Sequence, residues 1–340
     1  MSKSIVNTKP YPFHFDAIEY PAIKPNGTGV TIEYTNCRGA RPSLQASKIR
    51  AMVQEAHGDP SKILATVCSY DALSSRLCEE AGFPLVFLAG YPMASAFGLP
   101  DTCYIAFGEV VNKIQEVARE IRTSWSCWDH ARGPIVAKAY VKTPSQQEHC
   151  TNLKRTGCVH TAGKSVVSRS EAYARWQAAV DARNKGLDIW ILARTDSLIH
   201  GYDEALTKAR KAIEIGVGAV FVEALPDRES MERLRKDLNF PVVANIIEGG
   251  KTQNLSGKDL AELGYSVVCY PWTLVAAKLK SIIETLENIK GSMTVGKPPV
   301  VLSYDEVCEG VGFNKYFEIE ESINMKDGLM EPADTSGRIR

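Results

Sequence analysis

From residue 63 onward, short apolar runs alternate along the chain with longer amphipathic stretches. The runs Ile63–Val67, Leu85–Leu88, Ile189–Ala193, Ala219–Val222, Val242–Ile246 and Ser266–Cys269 are continuous and mostly apolar. That is the pattern of strands buried on both faces, not of strands with one wet face. Between them, apolar residues recur at helical spacing over 71–81, 107–122, 170–184, 202–215, 228–238, 258–263 and 273–289. Gly82 and Gly216 close two of these stretches, and Ser256 is a good N-cap for another. A further short helix is expected over Lys48–His57. Strands alternating with such helices imply parallel βα units. The strand count approaches eight if two more lie within 123–163. The predicted architecture is therefore an α/β (β/α)8 barrel, with an open doubly wound sheet as the alternative.

Two stretches break the pattern. Residues 1–45 hold Pro10, Pro12, Pro21, Pro25 and an Asn26-Gly27 turn signal with little periodicity, and read as an extended arm. Residues 123–163, with Trp125, Cys127, Trp128 and three histidines, replace the usual third and fourth βα units by something irregular. Only Gly133–Val141 is strand-like there. The expected organisation is an arm over 1–45, a barrel over 46–292 with 123–163 atypical, and a C-terminal extension over 293–340.

Composition narrows the function classes. Forty basic side chains balance forty acidic ones, so no field favours nucleic acid or an anionic membrane surface. No apolar run approaches the ~20 residues needed to span a bilayer. The first fifteen residues lack the apolar core of a secretory signal. Nine scattered cysteines, with no CxxC pair, read as reduced thiols of a cytoplasmic protein.

Chemistry gathers where the strands end. Ser69, Tyr70 and Asp71 follow the first strand; Ala89, Gly90 and Tyr91 follow the second, with Asp101 beyond Leu99-Pro100. Later strands end in Arg194 and Asp196, in Glu223, in Asn245 with Glu248, and in Tyr270-Pro271. In a barrel these ends share one face, where ligands bind. Each residue alone has a purely structural account: Asp71 caps a helix, Arg194 and Asp196 stitch a loop. Jointly, several carboxylates and one arginine suit a hard divalent ion and an anionic substrate.

The motifs Ser-Tyr-Asp-Ala-Leu-Ser-Ser-Arg-Leu (69–77), Leu-Ala-Gly-Tyr (88–91), Gly-Leu-Pro-Asp (98–101), Leu-Ala-Arg-Thr-Asp (192–196), Val-Glu-Ala (222–224), Ala-Asn-Ile-Ile-Glu-Gly-Gly-Lys-Thr (244–252) and Leu-Gly-Tyr-Ser-Val-Val-Cys-Tyr-Pro (263–271) carry a resemblance. Together they resemble the isocitrate lyase/phosphoenolpyruvate mutase superfamily, in the branch of 2-methylisocitrate lyase, 2,3-dimethylmalate lyase, oxaloacetate hydrolase and carboxyphosphonoenolpyruvate phosphonomutase. The resemblance implies a Mg²⁺-dependent retro-aldol C–C lyase acting on a small 2-hydroxy or 2-oxo di- or tricarboxylate, in a dimer or tetramer. A phosphonomutase of the same superfamily, or a catalytically impaired relative, are the alternatives. By the same resemblance, Ala89, Gly90 and Tyr91 cradle the substrate, Arg194 and Asn245 hold its carboxylate, and Asp101 and Glu223 surround the metal. Tyr70, Arg194 and Cys158 are the implied catalytic groups.

The sequence departs from this family in one segment. Members carry Asp-x-Asp-Thr-Gly-Tyr-Gly on the third strand, and nothing like it occurs between Arg122 and Lys164. The gating-loop signature Lys-Arg-Cys-Gly-His survives as Lys154-Arg155-Thr156-Gly157-Cys158-Val159-His160. The mutase branch lacks that cysteine, so Cys158 favours the lyase. The segment is either a replacement that impairs metal binding or one in which Asp129 or a histidine supplies new ligands.

Overall fold

The computed structural model describes residues 44–100, 105–120, 125–129, 135–136, 166–186, 188–297 and 301–326. Asp101, Cys158 and nearly all of the predicted arm lie outside them. The chain divides into two compact units, Pro10–Leu279 and a second made of Lys280–Arg340 with Met1–Lys9.

In the larger unit α1 (Leu44–Gly58) precedes β1 (Leu64–Ser69), α2 (Ala72–Glu80), β2 (Leu85–Ala89), α3 (Gly90–Ala96), α4 (Phe107–Glu120), β3 (Trp125–Asp129) and β4 (Ile135–Val136). Then follow α5 (Arg169–Lys185), β5 (Ile191–Thr195), α6 (Tyr202–Ile215), β6 (Ala219–Val222), α7 (Arg228–Leu238), β7 (Val243–Asn245), α8 (Gly257–Glu262), β8 (Val267–Tyr270) and α9 (Thr273–Ser292). The helix starts are set locally. Asp71, Asp227 and Ser256 each cap a helix through a reciprocal box with Ser74, Ser230 and Asp259. Gly216 closes α6 in the left-handed region at φ 103°, where a side chain would be strained.

The strands form parallel ladders in the order β3-β2-β1-β8-β7, and β5 pairs in parallel with β6. A parallel bridge, Val220 to Val242, carries the sheet on from β6 to the start of β7. The spatial order 3-2-1-8-7-6-5-4 is that of an eight-stranded barrel. Two features depart from a regular one. β4 runs antiparallel to β5, and among the described residues no ladder joins β3 to β4. Both lie in the segment whose sequence pattern is irregular.

Alternation along the strands sorts side chains onto two faces. Leu64, Cys68, Leu85, Phe87, Trp190, Leu192, Ala219, Phe221, Val243, Val267 and Cys269 form one buried cluster on the inner face. Their alternates Ile191, Ala193, Val220, Val222, Ala244 and Val268 pack outward against α5 to α8. Ile49, Met52, Val53 and Ala56 of α1 join the inner cluster, so α1 plugs the amino-terminal end of the barrel. Arg50 clamps that plug by a two-pronged bond to the buried Asp188, at 2.8 and 2.6 Å. Near the same end the Trp190 indole occupies the space above Gly218, where an added Cβ would sit 2.4 Å from Nε1. The opposite, carboxyl end is left for chemistry.

In the smaller unit the rest of α9 is followed by α10 (Tyr304–Val311) and α11 (Phe313–Lys326). These two helices fall in the predicted C-terminal extension, where no elements were expected. Ile282, Ile283, Leu286, Val307, Phe313, Phe317, Ile319 and Ile323 are all exposed.

Candidate active site

Continuing the inner-face alternation by two residues places each later side chain. Arg194 follows Leu192, Glu223 follows Phe221, and Asn245 follows Val243, so three adjacent strands aim these groups into the same end of the barrel. The structure brings them together. Arg194 Nη2 donates to Glu223 Oε2 at 2.8 Å, and Nε donates to Asp196 Oδ1 at 2.8 Å. Asn245 Nδ2 lies 3.4 Å from Glu223 Oε2. The loop pair Arg194–Asp196 and the inward cluster are therefore both real, and one guanidinium serves both.

The cluster is dry. The side chains of Arg194, Asp196 and Glu223 retain 12%, 6% and 1% of their exposure, so neither carboxylate is hydrated in bulk fashion. Beneath the guanidinium, the Phe221 ring lies 5.2 Å from Arg194 Cζ and offers its π face to the charge. Directly after Glu223, Ala224 adopts φ 65°, a left-handed conformation that costs a non-glycine residue about 1–3 kcal/mol. Its N–H donates to Glu223 Oε1 at 3.2 Å.

The sector formed by β7, β8, β1 and β2 is aromatic. Tyr70 sits two residues beyond inward-facing Cys68, and Lys278 of α9 holds its ammonium 4.3 Å from the Tyr70 ring centroid. Burial first, then the charges of Asp71 and Cys78, push the Tyr70 phenol above its ordinary value. The phenol is consequently protonated at neutral pH. Tyr91, in the first turn of α3, stacks face to face on Trp272, with ring centroids 4.1 Å apart and planes 9° apart. The next residue, Thr273, bonds through its hydroxyl to Glu248 of the β7–α8 connection. Below them Cys68 and Cys269, on neighbouring strands, place their thiols 3.3 Å apart.

Of the residues expected at the site, Arg194, Glu223 and Asn245 meet in one cluster. At the same end Tyr70 follows β1, Ala89 is the last residue of β2 rather than the first after it, and Gly90 and Tyr91 open α3. Asp101 and Cys158 lie outside the described residues. Trp272, Lys278 and Thr273 were not singled out by the sequence, although a tryptophan directly after a strand-end Tyr-Pro was the available signal. The described residues fit a metal poorly. Among the described residues the two carboxylates at Arg194 are already bonded, Asp196 to Nε and Glu223 to Nη2, the Ala224 N–H and Asn245, and no group of three His, Cys, Asp or Glu side chains converges.

An eight-strand α/β barrel order with a largely buried Arg-Glu-Asn cluster at the carboxyl ends of β5 to β7 defines an α/β barrel protein with a charged site at the mouth where such barrels bind ligands. Comparison with known proteins takes this further. The family model for phosphoenolpyruvate phosphomutase matches residues 53–290, and the chain belongs to that family. It is 25% identical over 297 residues to the 2,3-dimethylmalate lyase of Eubacterium barkeri, covering 82% of this chain and 97% of that one. Among solved structures, oxaloacetate acetylhydrolase in complex with 3,3-difluorooxalacetate superposes with a TM-score of 0.69 at 22% identity, over 82% of this chain and 97% of the other. Phosphonopyruvate hydrolase in complex with oxalate and Mg²⁺ superposes with a TM-score of 0.65 at 18% identity, over 82% and 99%. These likenesses confirm the barrel fold. The described helices include none long and apolar enough to cross a membrane.

Proposed function

We propose that the chain is a carbon–carbon lyase, or descends directly from one, and acts on a small carboxylate bearing an oxygen at C2. The observation that carries this reading is the buried Arg194–Glu223–Asn245 cluster, on inward positions of three successive strands, in a chain of this family. A guanidinium with five N–H donors in a planar fork can re-sort its bonds among Asp196, Glu223 and an incoming carboxylate. Asn245 supplies a neutral amide beside it. Cleavage of the bond between C2 and C3 sends the hydroxyl proton to a base and leaves the bonding electrons on the departing fragment as an enolate. Arg194, held in a low-dielectric site, stabilises that developing negative charge more than water would. Tyr70, protonated, is placed to donate a hydrogen bond at the same end. Cys158 is the proposed acid that reprotonates the carbanion, and Ala89, Gly90 and Tyr91 the proposed cradle.

Mg²⁺ is the proposed ion, with Asp101 and Glu223 the proposed outer groups. Because the Asp-x-Asp motif that family members carry on the third strand is missing from the sequence, affinity of the free protein for the ion should be low. No step is assigned to it. Calorimetric titration of Mg²⁺ with and without oxalate, together with cleavage assays on oxaloacetate and 2-methylisocitrate, tests the reading. Binding of oxalate that is lost in Arg194→Lys supports it, because a point charge cannot reproduce the fork. Absence of oxalate binding to the unaltered protein, with or without Mg²⁺, refutes it. A cytoplasmic homo-oligomer is the proposed form, and the exposed apolar positions of α9 to α11 support its oligomeric part, in which these helices meet another copy.

A further inference from the structure

We infer that Cys68 and Cys269 form an oxidation site, at which a hydroperoxide converts the two buried thiols into a reversible disulfide that staples the first barrel strand to the last. Both cysteines face the interior, Cys68 on β1 and Cys269 on β8, and both belong to the same buried cluster. β1 and β8 are neighbours in the sheet, with Thr66 directly opposite Cys269, so Cys68 meets Cys269 along one diagonal of the ladder. Their sulfurs lie 3.3 Å apart. Closing that gap to the ~2.05 Å of a disulfide takes about 1.2 Å of approach, shared between two side chains. Each cysteine is also the last residue but one of its strand, where local opening admits a molecule as small as a hydroperoxide.

The pair differs from the remaining buried thiol. Cys78, on α2, has no second thiol beside it among the described residues, and burial followed by the Asp71 charge pushes it up to about 12, so it stays protonated and inert. Between Cys68 and Cys269, either sulfur can donate its proton to the other. When one ionises, the S–H that remains bonds to the new thiolate and stabilises it. That thiolate attacks one oxygen of the peroxide, the O–O bond breaks, and a sulfenic acid forms while the other oxygen leaves and takes up the released proton as water. The second thiol then attacks the sulfenic sulfur, the S–O bond breaks, and a second water departs with the second proton. Two thiols and one peroxide thus give one disulfide and two waters. The joined residues lie 201 positions apart, so the bond closes a loop that holds nearly the whole barrel and restricts the unfolded chain accordingly.

The test treats the full chain with hydrogen peroxide, alkylates the remaining thiols, digests with trypsin and weighs the peptides. Cleavage after lysine and arginine leaves Cys68 as the sole cysteine of 63–76 and Cys269 as the sole cysteine of 259–278. The expected product is these two peptides joined, in a form that dithiothreitol separates. The urea midpoint of the oxidised chain should exceed that of the reduced chain by about 1 M, as a staple across so long a loop requires. Cys78→Ser should keep both the joined peptide and the difference in midpoint, whereas Cys68→Ser and Cys269→Ser should each lose both. Peptides that stay separate, with both thiols still open to alkylation or either one carried to a sulfinic acid, overturn the site. A joined peptide with no rise in midpoint overturns the staple. The peptide map of the unaltered chain decides the first point even where a serine variant fails to fold.

Discussion

Arg194→Ala tests stability and binding at once, because the guanidinium is a structural counter-ion as well as a ligand group. From the sequence alone, a strand-end arginine facing a mouth should be removable without harm to the fold. The structure indicates otherwise. Substitution strands two carboxylates, Glu223 and Asp196, with side-chain exposures of only 1% and 6%. Breaking a buried pair from one side costs about 3–5 kcal/mol, since each carboxylate stays buried after losing its bond to the guanidinium. Against the 5–15 kcal/mol typical of whole domains, that loss is large. With a urea slope of about 3 kcal/mol/M, the unfolding midpoint should fall by about 1–2 M. Glu223→Gln keeps the shape and removes one of the stranded charges. Arg194→Ala/Glu223→Gln should therefore be more stable than Arg194→Ala alone by about 1–3 kcal/mol, the coupling expected of residues in direct contact. Neither single nor double variant should bind oxalate. A double variant no more stable than Arg194→Ala would refute the argument that the stranded charge is what costs.

Three other outcomes follow from the structure. Gly218→Ala should destabilise by about 1–3 kcal/mol, the usual cost of overpacking, because its Cβ would overlap the Trp190 indole at 2.4 Å; a urea midpoint equal to the parent's would contradict this. Burial, and then the Arg235 charge, hold His57 below its ordinary value of 6.5, so the unfolded chain takes up the proton first. The stability due to His57 is thus fully present above pH 6.5 and declines as pH falls through it; His57→Gln should flatten that decline between about pH 7 and 5.5, and an unchanged slope would remove His57 as its source. Light scattering at micromolar concentration should give a mass above that of one chain, and substituting Phe313 and Phe317 with serine should lower it; a monomeric parent would end the proposal that α9 to α11 meet another copy.

Much of the barrel was legible because its strands are short apolar runs between well-capped helices. α6, β6 and α7 coincide with their predicted spans, while β5 begins two residues later than predicted, since Ile189 and Trp190 are buried but not yet laddered. α3 escaped notice because Gly90 and Pro92 read as loop, although proline is tolerated in a helix's first turn. β3 was missed for another reason. Trp-Ser-Cys-Trp-Asp has no continuous apolar run, and the ladder to β2 supplies what local pattern does not. At the site, strand-end position was enough to nominate Arg194, Glu223 and Asn245. What it could not reveal was their pairing. Arg194 and Glu223 are 29 positions apart, and only the register that sets Arg194 beside Phe221 brings Glu223 within reach. The Tyr91–Trp272 contact spans an even longer stretch of chain and depends on β1 lying between their strands.

The position of β1 also constrains how the chain can be made. One flank of β1 finds β2 within some twenty residues, whereas its other flank waits for β8, with Leu64 registered on Val267. At about 5–20 residues per second, a ribosome needs roughly 10–40 s to deliver the intervening stretch. For that interval a nascent chain carries Leu64–Ser69 with one row of backbone donors and acceptors unmatched, on one of its most apolar segments. Synthesis speed and chaperone occupancy over residues 64–270 thus become determinants of yield, and a rearranged chain that begins at β8 and runs into β1 would match that flank early while leaving the other flank of β8 to wait for β7.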